Sequence, residues 1–150
     1  SRQMEKKYFA LAIGRIRKKT GTFKDFLAKG TRDFQPVMKV SNKDDSRAKY
    51  CETTYKVVKH IKNYSLLELT LKTGRMHQIR VQLASRGFPV LGDKIYGNED
   101  ENKKVSRYLK RQFLHAYQIT FNHPITNKKL KVTSELPRDL KKTLEKIKAQ

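Results

Sequence analysis

The chain has 150 residues, 37% hydrophobic and 33% charged, enough for one domain with a real core. Its formal net charge is +21, from 35 Lys and Arg against 14 Asp and Glu, and such self-repulsion points to a polyanionic partner, RNA or DNA before a membrane surface. No apolar run approaches the ~20 residues of a membrane span, and a single cysteine, Cys51, excludes an internal disulfide framework and a multi-cysteine zinc site.

In chain order, the opening "SRQMEKKYFALAIG" has no apolar signal region and does not begin with Met. The expectation is a piece of a longer protein from a reducing compartment, the cytoplasm. Residues 7–13 ("KYFALAI") read as a strand ended by Gly14. Arg15, Arg17, Lys18 and Lys19 then form a basic turn suited to phosphate contact, although such runs are often simply solvated. Residues 22–27 fit a short helix or a strand, and "VSNKDDSRAK" reads as a polar loop. Two strands are expected at 50–60 and 65–72, joined at "IKNY", with Leu67, Leu69 and Leu71 alternating against Glu68 and Thr70. Residues 76–86 read as a helix stopped by Gly87 and Pro89. "GNEDENKKVSR" is expected to be a charged loop. Strands at 113–121 and 128–134 flank the turn "NHPITN", and Leu140, Leu144 and Ile147 space an amphipathic C-terminal helix. The expected fold is α+β: a mixed, largely antiparallel sheet in one domain, with a short central helix and a C-terminal helix.

The central helix poses a chemical question. Wound at ~100° per residue, Gln78, Gln82 and Ser85 gather on one side, which reads as the wet side. Arg80 falls between Leu83 and Ala84, inside the apolar arc. A buried guanidinium is tolerable only with a bidentate anion or with its head extended to water. The candidate carboxylates in the chain are Asp33, Glu68, Asp139 and Asp93, the last reading as a turn or capping residue in "LGDKIYG"; a phosphate or a residue outside the chain serves equally. His77 lies on the same side as Arg80 and is more simply a hydrogen-bonded structural histidine. Arg75, at the helix entrance, suits a phosphate contact or a solvated surface. His115 and His123 have no ligand partners at metal spacing, and nothing activates Cys51 as a nucleophile.

The stretch "LELTLKTGRMHQIRVQLASRGFPVLGDKIYG" resembles the RluA family of pseudouridine synthases, in which a leucine-rich strand leads to Gly-Arg-x-His-Gln-(Ile/Leu)-Arg and then Gly-Asp-x-x-Tyr-Gly. "FLHAYQITFNHPITNKKLKVTSELP" is similar to the family's Leu-His-Ala and His-Pro segment, and "KKYFALAIG" to its Lys-x-Tyr-x-Ala strand. The three matches fall in family order and run nearly end to end. The resemblance implies the pseudouridine-synthase catalytic domain and conversion of uridines to pseudouridine in RNA, ribosomal before transfer RNA, by a monomer with no cofactor and no metal. It implies a flipped base, Tyr8 stacked upon it, and Arg80 paired with the catalytic aspartate. Arg75, His77, Arg15, Arg17, Lys18 and Lys19 are the expected RNA contacts. The family's His-Arg-Leu-Asp segment, which carries that aspartate, has no counterpart here, so the nucleophile is expected outside this chain and the chain alone is expected to be inactive. The competing expectations are a basic RNA-binding piece without catalysis and a ribosome-associated protein.

Overall fold

The computed structural model describes residues 4–150; the Ser1 opening noted above lies outside them. Seven strands are joined in one sheet: β1 Glu5–Ile13, β2 Thr20–Arg32, β3 Gln35–Ser41, β4 Lys49–Ile61, β5 Tyr64–Leu71, β6 Leu114–Asn122 and β7 Lys129–Thr133, in the order β3-β2-β4-β5-β1-β6-β7. Each neighbouring pair among the described strands is antiparallel. Three helices complete the α+β unit: α1 Gln78–Ser85, α2 Glu99–Val105 and α3 Arg138–Lys148.

The leucine alternation in β5 fixes the register at the centre of the sheet. Tyr8 and Ala10 of β1 lie opposite Leu69 and Leu67, and Tyr55 of β4 lies opposite Leu69 from the other side. A one-residue slip would turn this apolar row to the other face. Leu67, Leu69, Tyr55, Ile79 and Leu83 accordingly share the main core with Leu140 and Ile147 of α3, and Leu144 packs against it. The spacing of Leu140, Leu144 and Ile147 thus does what an amphipathic stripe predicts.

Several expectations change. The segment 22–27 is part of a 13-residue strand, and β3, not foreseen, pairs with it as a hairpin. "GNEDENKKVSR" contains helix α2 rather than a loop. Its apolar content is nearly confined to Val105, which is buried, so periodicity could not disclose it. The end signals could: the Asn98 side chain accepts from the Glu101 amide, acidic residues fill the first turn, and Lys103 and Lys104 the last.

Helix α1 departs most from its wheel. Gln78 and Gln82, read as the wet side, are 2% and 0% exposed, and the buried run extends from Gln78 to Leu83. The helix is sunk against the sheet on one side and the 90–97 turn on the other, so it has almost no wet face. Its end is as expected: Gly87, at φ 86°, donates to the Ala84 carbonyl in the left-handed conformation that glycine supplies freely.

Candidate active site

The buried glutamines of α1 are satisfied by a polar relay that crosses the sheet. Gln78 Nε2 donates to Thr53 Oγ1 at 2.9 Å, Thr53 donates on to Gln82 Oε1, and Gln82 Nε2 donates to Asp25 Oδ2 at 2.8 Å. Arg86 closes the chain with both of its terminal nitrogens on Asp25, at 2.8 and 3.2 Å. At the other end Gln78 Oε1 accepts from the Arg75 amide at 3.0 Å. Burying these amides is tolerable because each finds partners. The relay fixes both the rotation of α1 and the entrance at Arg75, and so aims the next residue of interest, Arg80.

Arg80 finds its anion inside this chain. Nε donates to Asp93 Oδ2 at 2.8 Å and Nη2 to Asp93 Oδ1 at 2.9 Å, with the arginine side chain 11% exposed and the aspartate 0%. The demand for an anion is met, and the expectation that Arg80 has no partner here is corrected. Asp93 reaches it from a tight turn: its Oδ1 also accepts from the amides of Ile95 and Tyr96, at 2.9 and 3.0 Å. The capping role read from "LGDKIYG" and the ion-pair role belong to the same carboxylate. Burial drives the Asp93 carboxyl upward, but the Arg80 guanidinium and the two amides outweigh it and hold it below the ordinary range. Gly92 makes the turn possible, since a Cβ there would meet the Arg111 carbonyl oxygen at 2.2 Å, and its φ is 86°. The rival carboxylates are elsewhere. Asp139 pairs with Arg111 at 2.9 Å, Glu68 accepts from Tyr117, and Asp33 sits at the tip of the β2–β3 hairpin with φ 50°.

Asp93 occupies only one edge of the guanidinium. A guanidinium presents five N–H donors in a planar fork; Asp93 takes the Nε/Nη2 edge, and Nη1 makes no hydrogen bond among the described residues. Tyr96 packs beneath, its ring centroid 5.4 Å from the Arg80 guanidinium carbon. The Tyr96 hydroxyl accepts from the Met38 amide at 2.8 Å and lies 2.7 Å from His77 Nδ1. The Tyr96 hydroxyl thus ties the Met38 amide to the His77 ring. Burial and then the Arg80 cation lower the His77 pKa, which favours the neutral imidazole. His77 itself holds φ 56° at the N-cap of α1, an uncommon conformation for a residue with a side chain.

The remaining expected site residues divide into two groups. Tyr8 is half-buried against the main core that holds Ile79 and Leu83 of α1, and burial raises its phenol pKa. Arg75 is exposed at the α1 entrance, reaching the Tyr50 carbonyl at 3.5 Å. Arg15, Arg17, Lys18 and Lys19 are also exposed, but at the opposite end of the sheet: Arg15 donates to the Lys62 carbonyl before β5, whereas Arg75 follows β5. The length of β5 at ~3.3 Å per residue separates the two basic groups by roughly 25 Å. Asp93 and Tyr96 are the members of the cluster that sequence reading did not assign to the site. Two turn residues in a motif shared with Gly92 and Gly97 were the available signal. Cys51 is buried, and desolvation followed by the nearby Asp25 raises its thiol to about 11, which keeps it an inert core residue.

Comparison with known proteins identifies the family. The family model described as RNA pseudouridylate synthase matches residues 1–85. A ribosomal large subunit pseudouridine synthase C of Rickettsia prowazekii is 39% identical over 133 residues, covering 88% of this chain and 42% of the relative. An uncharacterized RNA pseudouridine synthase of Chlorobaculum parvum is 34% identical over 158 residues, covering 98% of this chain and 48% of the relative. The chain thus spans about half the length of these curated relatives. In fold, it matches the human RNA pseudouridylate synthase domain containing 1 with a TM-score of 0.74 at 22% identity, over 99% of this chain and 67% of that one. The chain belongs to the RNA pseudouridylate synthase family, in its RluA branch.

Proposed function

We propose that this chain supplies the arginine-bearing part of an enzyme that isomerises uridine to pseudouridine in RNA, with large-subunit ribosomal RNA as the substrate and the cytoplasm as its place of action. The observation that carries the reading is the buried bidentate pair of Arg80 with Asp93, which holds one edge of the guanidinium. The reading assigns its other edge to a reacting carboxylate. A cation so placed keeps that carboxylate ionised and nucleophilic. This reading takes the attacking aspartate from outside these 150 residues, because the His-Arg-Leu-Asp segment that carries it in the resembled family has no counterpart in the sequence.

The target uridine is flipped from its stack to expose the reacting atoms. The glycosidic bond from C1′ to N1 breaks and a bond from C1′ to C5 forms. The C5 proton leaves and N1 takes one up, so the reaction is redox-neutral and runs without a cofactor or metal. Tyr8 stacks on the flipped base, and its raised pKa keeps the phenol neutral and able to donate. Arg75 and His77 contact the strand near the site. Arg15, Arg17, Lys18 and Lys19, at the far end of the sheet, hold the backbone of a long substrate without reading its sequence. Large-subunit RNA is favoured because relatives such as that of Rickettsia prowazekii carry it in their names; transfer RNA is the runner-up.

The test is tritium release from large-subunit RNA labelled at uridine C5, using the complete gene product that contains this chain. Release with formation of pseudouridine is the expected result. RNA binding without any release would replace this reading with that of a non-catalytic basic RNA-binding protein.

A further inference from the structure

The register of the outer strands builds a recess beside the Arg80 site. Leu27 of β2 lies opposite Lys49 of β4, and Lys29 lies opposite Met38 of β3. Those four side chains meet Arg75 and Met76 at the entrance to α1, and with Arg47 they line a cavity of about 450 Å³. Neither Tyr8 nor Arg80 lines it. Its floor is apolar: Leu27 and Met38 are buried at 1% and 7% exposure, and Met76 packs against them. Its rim is cationic. Arg47 is held by Asp45 at 3.3 Å, whereas Lys29, Lys49 and Arg75 form no ion pair among the described residues.

We propose that this cavity is a nucleotide subsite for single-stranded RNA flanking the reacting uridine, with the base lying on the Leu27–Met38–Met76 floor and its phosphate held by Lys29, Lys49 and Arg75. The inference rests on the RNA reading given above. A purely phosphate-binding surface has no use for a recessed thioether floor, whereas a nucleobase has a flat apolar face to lay on it, and thioether sulfur contacts aromatic rings favourably. The size falls within the ~300–1,000 Å³ of ligand pockets. Adjacency to the reaction site follows from Tyr96, which accepts from the Met38 amide at the cavity wall while its ring lies beneath Arg80. Occupation of the cavity therefore bears on the residue that supports Arg80, and a base seated there sets which nucleotide beside the uridine the enzyme prefers.

The test follows the methionine methyl resonances of the 150-residue chain labelled with ¹³C-methyl methionine. Met38 and Met76 are assigned through Met38→Leu and Met76→Leu, and an adenosine pentamer and an abasic pentamer of equal length and charge are titrated in turn. Both methyls shift upfield with the adenosine pentamer, from the ring current of the base, and do not shift with the abasic one. Lys29→Gln with Lys49→Gln weakens adenosine-pentamer binding roughly tenfold at low salt, as loss of phosphate contacts requires. Equal shifts with the two pentamers would reduce the cavity to a phosphate surface and overturn the proposal. Pentamer binding that leaves both methyls unmoved would also overturn it, while leaving the isomerase reading to its own tritium assay. Absence of binding to either pentamer would overturn it as well.

Discussion

Replacing Asp93 with asparagine probes the link between fold and site most sharply. The side chain keeps its shape and one carbonyl oxygen, which can still accept from the Ile95 and Tyr96 amides. It loses the charge facing Arg80, and the new amide nitrogen confronts a donor of the same kind. The pair is out of water, at 11% and 0% side-chain exposure, so the figure for surface ion pairs, ~0–1 kcal/mol, does not apply. Removing one member of a buried pair costs about 3–5 kcal/mol, because the surviving charge stays desolvated without compensation. For a domain of this size each kcal/mol corresponds to roughly 2–4 °C in Tm, so Asp93→Asn is expected to lower Tm by on the order of 10 °C. Urea unfolding of the chain and of Asp93→Asn, Arg80→Met and the double variant gives the coupling directly. A double variant less unstable than the sum of the singles, by at least ~1 kcal/mol, is the expected signature. A cost below about 1 kcal/mol for Asp93→Asn, with no coupling, would refute the claim that the pair is desolvated and would remove the reason for Arg80 to be so placed.

Other consequences follow from the same geometry. The His77 pKa is lowered by burial and by Arg80. The folded protein therefore binds fewer protons there than the unfolded chain, and this stability is complete above ~6.5 and is lost as pH falls through the folded value. An NMR titration of the imidazole should give a midpoint below ~6.5, and one above it would contradict the burial of His77 beside the Arg80 cation. Gln82→Leu removes the middle of the buried relay and leaves Thr53 and Asp25 short of a partner; a loss of ~1–3 kcal/mol in urea unfolding is expected, and a neutral result would show that the relay is dispensable. The affinity of the chain for single-stranded RNA should fall with salt at a slope of about −0.7 per phosphate contacted, and Arg75→Gln should flatten it by about one contact. A slope near zero would remove the electrostatic basis of binding.

How far the sequence discloses this protein depends on which forces leave a periodic trace. The leucines of β5 and the stripe of α3 do, because each buries one face and exposes another. Helix α2 does not, since Val105 is its one buried residue and its evidence lies in capping residues. The wheel of α1 located Arg80 among apolar neighbours and so called for an anion, but it misplaced Gln78 and Gln82. Polarity indicates exposure only where no partner waits inside, and the relay from Thr53 to Asp25 is built from strands distant in sequence. The same limit hid the role of Asp93. A turn aspartate looks alike whether its carboxylate caps two amides or also holds an arginine, and only the approach of the 90–97 turn to α1 distinguishes them. The basic turn from Arg15 to Lys19 shows the converse: charge is plain in the sequence, while its distance from Arg75 is a property of sheet topology.

The central claim is that Arg80 serves two carboxylates at once, one structural and one reacting. Arg80→Lys in the complete gene product tests it most directly, because lysine keeps a charge beside Asp93 but is a point donor without the second planar edge. With folding checked by the thermal transition, tritium release from C5-labelled uridine RNA should fall by ~100-fold or more, the scale of losing an aimed charge-assisted contact in a reaction site. A variant that folds and releases tritium within about threefold of the unmodified enzyme would contradict the account, on the scale where lost contacts cost ~10²-fold.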